Sequence, residues 1–210
     1  MAGSAVHGKV YTTELLRPFF GADLIRRVVD VGAGAGTYVK LLAGHAPGVY
    51  WIAVEVWTPY ISKYALDKQY HEVINRDVRE VDFLPLAPDL VLFGDILEHM
   101  TQEEALAVVG KALKAASYVM ISIPIIDYPQ HELEGNPFQR HVKDDWSHTA
   151  VCACFPETVV TCLVHNSIGV YFLTRREQAR RHLLDIHRQV APQIKERFKN
   201  EIVIFGDTCE

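Results

Sequence analysis

At 210 residues, with 49% hydrophobic and 22% charged residues, the chain has the composition of a globular protein able to bury a sizeable core. Its 26 acidic against 21 basic residues give a net charge of −5, which argues against global attraction to nucleic acid. No run approaches the roughly 18 apolar residues of a membrane span, and the opening Met-Ala-Gly-Ser-Ala-Val-His-Gly lacks the form of a secretory signal, so a cytoplasmic protein is expected.

In chain order, residues 9–20 read as a helix before the first strand, 28–31. Further strand-like runs follow at 50–54, 72–75, 90–93, 118–123, 158–163 and 169–173. Thr58-Pro59 predicts a helix start, with a hydroxyl cap followed by proline at the first helical position. Thr101-Gln102-Glu103-Glu104 is a capping box, and Ala105, Val108, Val109, Ala112 and Leu113 follow at helical spacing. Ser147 is placed to cap a short helix with Ala150, Val151, Cys154 and Phe155 inward. The last two strand runs are joined by a turn at Asn166-Ser167, which predicts an antiparallel hairpin. Residues 175–199 form a long helix, which Pro192 is expected to kink. That segment carries eight Lys/Arg against three Asp/Glu, the pattern of a solvated basic face, a dimer contact or a surface for an anionic partner.

Strand–helix alternation implies a parallel sheet with helices on both faces, here with seven strands and a reversed hairpin at the end. Residues 1–174 are expected to form the main domain, and 175–210 a helix and tail packed on or beside it. Cys152, Cys154, Cys162 and Cys209 match no zinc spacing and are expected to be free thiols in a reducing compartment.

Ligands in such sheets bind outside the carboxyl ends of the strands, where strand order reverses. After the first strand comes Asp30-Val31-Gly32-Ala33-Gly34-Ala35-Gly36-Thr37, a glycine-rich turn leading into a helix. Glycines there let the backbone take positive φ and let a ligand approach without a Cβ in the way. Dinucleotide folds want G-x-G-x-x-G; here glycines alternate, and Thr37 stands at the place of the third. The second strand ends in Glu55, whose carboxylate suits both hydroxyls of a ribose. After the third, Asp77 is placed to accept from an exocyclic adenine amine while Val78 packs on the ring. After the fourth, Gly94-Asp95-Ile96-Leu97-Glu98-His99 forms a further wall.

The alternating D-x-G-x-G-x-G turn, Glu55, Asp77 and the Asp95-Ile96-Leu97-Glu98-His99 stretch resemble the successive motifs of the class I S-adenosylmethionine (SAM) methyltransferases, over about residues 28–125. The resemblance implies a Rossmann-like class I methyltransferase fold, SAM as cofactor and S-adenosyl-L-homocysteine (SAH) as product. It implies that Asp30 orients the loop formed by Gly32, Gly34 and Gly36. It also implies that the Gly32 and Gly94 carbonyls accept from the methionine ammonium, while Lys9, Tyr11 or Arg17 meets the carboxylate. A nicotinamide enzyme accounts for Glu55 but for neither Asp77 nor the 94–99 segment.

The long segment 125–147 shows no periodicity and holds aromatic, imidazole, guanidinium and carboxylate groups, the signature of a functional loop. It resembles the E-G-N-P-aromatic…H…D-W stretch of a functionally mixed subgroup of small methyltransferases. Tyr128, His131 and Trp146 are therefore candidate acceptor contacts, with His99 and His141 as candidate catalytic imidazoles. The spacings of His131, His141 and His148 match no compact ligand motif, so no metal is expected. The expected activity is O- or N-methylation of a small molecule such as a natural-product intermediate or sugar. The alternatives are a non-catalytic SAM-binding regulator, or a methyltransferase of protein or nucleic acid. The nucleic-acid reading is disfavoured because the [DNS]-P-P-[YFW] motif of DNA amine methyltransferases is replaced by Gly94-Asp95-Ile96-Leu97.

Overall fold

The structure, a computed structural model, describes residues 6–156, 158–199 and 202–206. Strands β1 (Arg27–Val31), β2 (Tyr50–Val54), β3 (Glu72–Ile74), β4 (Leu90–Gly94) and β5 (Tyr118–Pro124) pair in parallel. Strand β7 (Ile168–Leu173) runs antiparallel to β5, and β6 (Val159–His165) antiparallel to β7. Among the described residues β8 (Val203–Gly206) adds an eighth strand beside β6, giving the order β3-β2-β1-β4-β5-β7-β6-β8. The predicted hairpin is present, and the tail that was assigned only to packing contributes its outer strand.

Alternation along the strands divides the core. Val28, Leu90, Leu92, Tyr118 and Met120 face one layer, with Leu15 and Phe19 of α1 (Val6–Gly21), Leu42 of α2 (Thr37–Leu42) and Leu183 of α6 (Glu177–Arg197). Val29, Val91, Phe93, Val119 and Ile121 face the other, with Val109 and Leu113 of α4 (Gln102–Ala115) and Val151 of α5 (His148–Cys154). Period-two burial in the strands thus meets apolar helix stripes on both faces, as the doubly covered sheet requires.

The capping box on α4 is complete: the Glu104 amide donates to the Thr101 hydroxyl at 3.3 Å, and the Thr101 amide donates to the Glu104 carboxylate at 2.9 Å. Ser147 caps α5 by accepting from the Ala150 amide at 3.1 Å. The expected cap on α3 (Thr58–Lys63) differs. Trp57 is the cap residue, with no side-chain cap, and the hydroxyl of Thr58, the first helical residue, donates to Asn75 Oδ1 at 2.8 Å. Helix α6 carries Pro192 within its span and docks its apolar stripe on α1, β6 and β8. Cys154 and Cys162 are free, as expected, but Cys152, half-buried on α5, is disulfide-bonded, which corrects the expectation of a free thiol there. Cys209 lies outside the described residues.

Candidate functional site

Strand β1 is followed in space by β2 on one side and β4 on the other, so strand order reverses at the carboxyl end of β1. The glycine turn occupies that point. Gly32, Gly34 and Gly36 have φ of 64°, 51° and 73°, the left-handed region that a β-carbon disfavours. A Cβ on Gly32 would stand 1.9 Å from the Ile96 side chain, so the turn after β1 lies directly against the segment after β4. A Cβ on Gly94 would stand 2.1 Å from the Tyr38 ring.

Glu55 connects the glycine turn to the end of β2. One carboxylate oxygen accepts from the Gly34 amide at 2.9 Å and the other from the Trp57 amide at 2.8 Å. The group is 4% exposed; burial raises its pKa, and the amides oppose that shift. Two amides leave part of the carboxylate's roughly four acceptor positions open. Asn75 fastens this corner by donating to the Glu55 and Val56 carbonyls at 2.7 and 3.2 Å, a role the sequence reading missed.

Asp30 lies beneath the turn, 2% exposed, and accepts from the Tyr70 hydroxyl at 2.5 Å. Burial pushes its pKa up to about 7, against the hydrogen bond from Tyr70. Asp77 reaches the cavity wall, but its carboxylate is already held by the Arg79 guanidinium at 3.0 and 2.6 Å. Hydrogen bonding from Arg79 lowers the Asp77 pKa. Val78, 8% exposed, lines the wall beside it.

The loop after β5 is ordered by backbone hydrogen bonds to the segment after β4. The Val142 and Lys143 amides donate to the Glu98 carbonyl at 2.8 and 3.1 Å, and His99 Nδ1 pairs with the Arg140 carbonyl at 3.1 Å. His141 Nδ1 pairs with the Tyr128 carbonyl at 2.6 Å. The two imidazoles meet edge to face with centroids 5.0 Å apart. His99 is held neutral: burial lowers its pKa to about 4. Glu98 is 2% exposed, and burial, then the charge of Asp95, raises its pKa.

A cavity of about 100 Å³ joins these parts. Its lining includes Gly32, Gly34, Glu55, Asp77, Val78 and His99, so the structure unites most of the predicted cofactor residues with one predicted catalytic imidazole. Tyr60, Arg79, Asn136, Phe138 and Gln139 also line it, and the sequence reading did not single them out. The signal for the last three was present in Asn136-Pro137: the Asn136 side chain accepts from the Phe138 amide at 2.9 Å, and that turn brings Phe138 into the lining. The volume is below the 300–1,000 Å³ usual for small-molecule sites, and Arg79 and Phe138 are partly exposed members of its lining.

Other candidates fall elsewhere. Trp146 is 2% exposed and belongs to the core under the loop, with the Lys143 ammonium 5.1 Å from its ring. It is absent from the cavity lining. His131 is exposed and absent from the lining, while Tyr128 is 44% exposed with its ring 5.4 Å from His141. Of the three candidates for the methionine carboxylate, Tyr11 is sealed in the core with its hydroxyl 3.3 Å from His187, Arg17 pairs with Glu14, and Lys9 does not line the cavity. A larger cavity of about 480 Å³, lined by Phe155, Thr174, Arg176 and Arg180, lies where β7 ends. Since β7 opposes β5, that is the amino edge of the parallel strands, away from every motif above.

Strand order, the reversed β7 and a glycine-turn site at the switch point together define the class I SAM methyltransferase fold, of the Rossmann-like α/β type. No protein-family model and no curated protein matches the sequence. Solved structures do match. The N-terminal domain of EvdMO1, crystallised in the presence of SAH and D-fucose, superposes with a TM-score of 0.61 at 18% identity over 83% of this chain and 85% of that one. PH0226 from Pyrococcus horikoshii OT3 gives 0.57 at 18% identity, over 80% and 91%. The mitomycin 7-O-methyltransferase MmcR gives 0.54 at 16% identity, over 80% and 54%. Against full-length EvdMO1 the chain spans 40% of the neighbour's length. Likeness at this level of identity is a likeness of fold.

Proposed function

We propose that the protein is a SAM-dependent methyltransferase whose acceptor is a small molecule, methylated at oxygen or nitrogen. The observation that carries this reading is the Glu55–Gly34 hydrogen bond at 2.9 Å, which holds a buried acid and a left-handed glycine turn on one cavity wall. The residues present fit the cofactor. Gly34 has no neighbour nearer than 3.6 Å to a would-be Cβ, which leaves a cradle at the turn. Glu55 offers acceptors to a ribose, and Val31, Val54, Val78, Ile96 and Met100 supply an apolar slot for a purine. Two neighbours support the reading by what they are: SAH is bound in an EvdMO1 domain structure, and MmcR is a mitomycin 7-O-methyltransferase.

Bound SAM supplies the electrophilic methyl and its leaving group. What remains to the protein is alignment of the acceptor and removal of its proton. His99, on the cavity wall, and His141, packed against it, are the groups we assign to the acceptor end. The loop 125–147 then serves as the acceptor wall, while α6 belongs to the same core and β8 to the same sheet.

Calorimetric titration with SAH tests the cofactor assignment. Binding in the low-micromolar range, about 8 kcal/mol, is expected for the wild type. Glu55→Ala should lose about 1.5–3 kcal/mol, the range for hydrogen bonds to a charged group. NADH binding better than SAH would overturn the reading. Methyl transfer from labelled SAM to a panel of hydroxylated and amino acceptors then tests catalysis.

A further inference from the structure

We propose that Glu98, His99 and His141 form a site for one divalent first-row transition-metal ion, with coordination positions left open for an oxygen of the acceptor. One potential ligand atom from each of the three side chains lies within 4.8 Å of the other two. Around a tetrahedral ion with bonds of about 2.1 Å, ligand atoms stand about 3.4 Å apart, so modest side-chain rotations close the set. His99 lines the cavity beside Gly32, Gly34 and Glu55, which places the open side of the ion toward the cofactor cleft.

Three independent features point to a cation. The first is Glu98 itself. It is 2% exposed, and its Oε2 is buried without a hydrogen-bond partner. A buried carboxyl oxygen without a partner costs free energy that a cation or a donor offsets. A histidine base at the acceptor end explains none of this, because it leaves Glu98 without a function.

The second feature is the state of both imidazoles. Nδ1 of His99 faces the Arg140 carbonyl at 3.1 Å, and Nδ1 of His141 faces the Tyr128 carbonyl at 2.6 Å. A carbonyl only accepts, so each Nδ1 is placed to donate, which leaves the Nε2 side of each ring as the candidate ligand. Metal-bound histidines are oriented in this way, with the second ring nitrogen donating to a carbonyl or carboxylate.

The third is how the set is built. Glu98 and His99 follow β4, and His141 comes from the loop after β5; the Val142 and Lys143 amides pin that loop to the Glu98 carbonyl at 2.8 and 3.1 Å. A site of two imidazoles and one carboxylate is borderline-soft. It suits Zn²⁺, Co²⁺ or Fe²⁺ rather than Mg²⁺, which prefers all-oxygen ligands. Three protein ligands leave room for water or substrate. The acceptor class that fits is a hydroxylated small molecule able to give an oxygen to the ion. This replaces the sequence-based expectation of a metal-free site, which considered only local spacings. The acceptor role rests on the methyltransferase reading; the binding of the ion does not.

The test uses the full chain without an affinity tag, stripped with chelator, and titrates it with Co²⁺ by visible absorption and with Zn²⁺ by calorimetry. SAH titrations run in parallel. One saturable equivalent is expected, with ligand-field bands for Co²⁺, displacement by Zn²⁺ and no displacement by Mg²⁺. Glu98→Gln and His141→Ala should each weaken binding at least about 100-fold, beyond the 10–100-fold typical of an outer-sphere partner. Both positions are buried, so a variant that loses its fold is replaced by a wild-type measurement. Zn²⁺ should shift the Nε2 resonances of two of the ten histidines, those of His99 and His141. No saturable binding at one equivalent, equal binding in folded variants, or shifts confined to other histidines would overturn the site. Metal bound without SAH binding would support the site while removing the cofactor reading; SAH bound without metal would do the reverse.

Discussion

The cofactor end and the acceptor end of the cavity are built in different ways. At the cofactor end each functional group stands at or just beyond a strand end: Gly32 and Gly34 after β1, Glu55 after β2, Asp77 after β3. Parallel pairing sets their relative positions, with Asp30 opposite Ala53 and Val31 opposite Val54. At the acceptor end His99 follows β4 but His141 comes from a loop with little regular structure, and bonds to loop carbonyls fix both: His99 to Arg140, His141 to Tyr128. The lesson is that a site on strand ends inherits its precision from the sheet, whereas the loop must supply its own.

The largest effect that can break this comparison is at Trp146. If the loop rests on a buried indole, Trp146→Ala should destabilise the fold by about 3–5 kcal/mol in urea denaturation, the cost of emptying a large core site. A substitution that instead left stability intact and raised only the acceptor KM would return Trp146 to the face of the site.

Next comes Asp30, under the glycine turn. Its folded pKa of about 7 lies above its ordinary value of 3.8, so between those values the folded state binds the extra proton. Stability from this group is therefore full below pH 3.8 and is lost as pH rises toward 7, with a slope approaching about 1.4 kcal/mol per pH unit. Asp30→Asn keeps an acceptor for Tyr70 and removes the titration. Its stability profile from pH 4 to 7 should lack that decline; parallel profiles would show that Asp30 does not titrate there.

Gly32→Ala should cost about 1–3 kcal/mol for the left-handed backbone alone, with the Ile96 contact added, and should abolish SAH binding. Retained affinity would show that the turn and the segment after β4 are not coupled. The smallest effect is expected at Asp77. Because Arg79 already occupies its oxygens, Asp77→Ala should reduce SAH affinity by under about 1.5 kcal/mol. A loss as large as that of Glu55→Ala would show that Arg79 gives way and the carboxylate takes the ligand directly.

The same contrast explains what the sequence disclosed. Strand periodicity, the alternating glycines and acids after β2 and β3 are local signals, and the structure gathers Gly32, Gly34, Glu55, Asp77, Val78 and His99 on one cavity wall. Asp30 within β1, Gly36 in the turn after it and Gly94 at the end of β4 lie outside that lining. Non-local packing was not legible. Tyr11 looked like a cofactor contact until α1 was seen to bury it beside Phe172, with its hydroxyl near His187. Trp146 carried the chemistry of a binding residue, but the core below the loop absorbed it. Strand β8 is only four residues long and forms through pairing with β6, a contact no local pattern announces. Glu98, His99 and His141 share no short motif, since backbone bonds from a distant loop bring them together.

The measurement that bears most directly on the central claim is a pair of SAH titrations, on Glu55→Ala and His141→Ala, beside the wild type. The account expects at least about a tenfold loss for Glu55→Ala, the fold equivalent of its 1.5–3 kcal/mol. It expects a change within about twofold for a folded His141→Ala protein, with the loss in that variant confined to acceptor turnover. Equal losses of SAH affinity in both, or none in either, would contradict a cofactor site carried by the strand ends and an acceptor end carried by the loop.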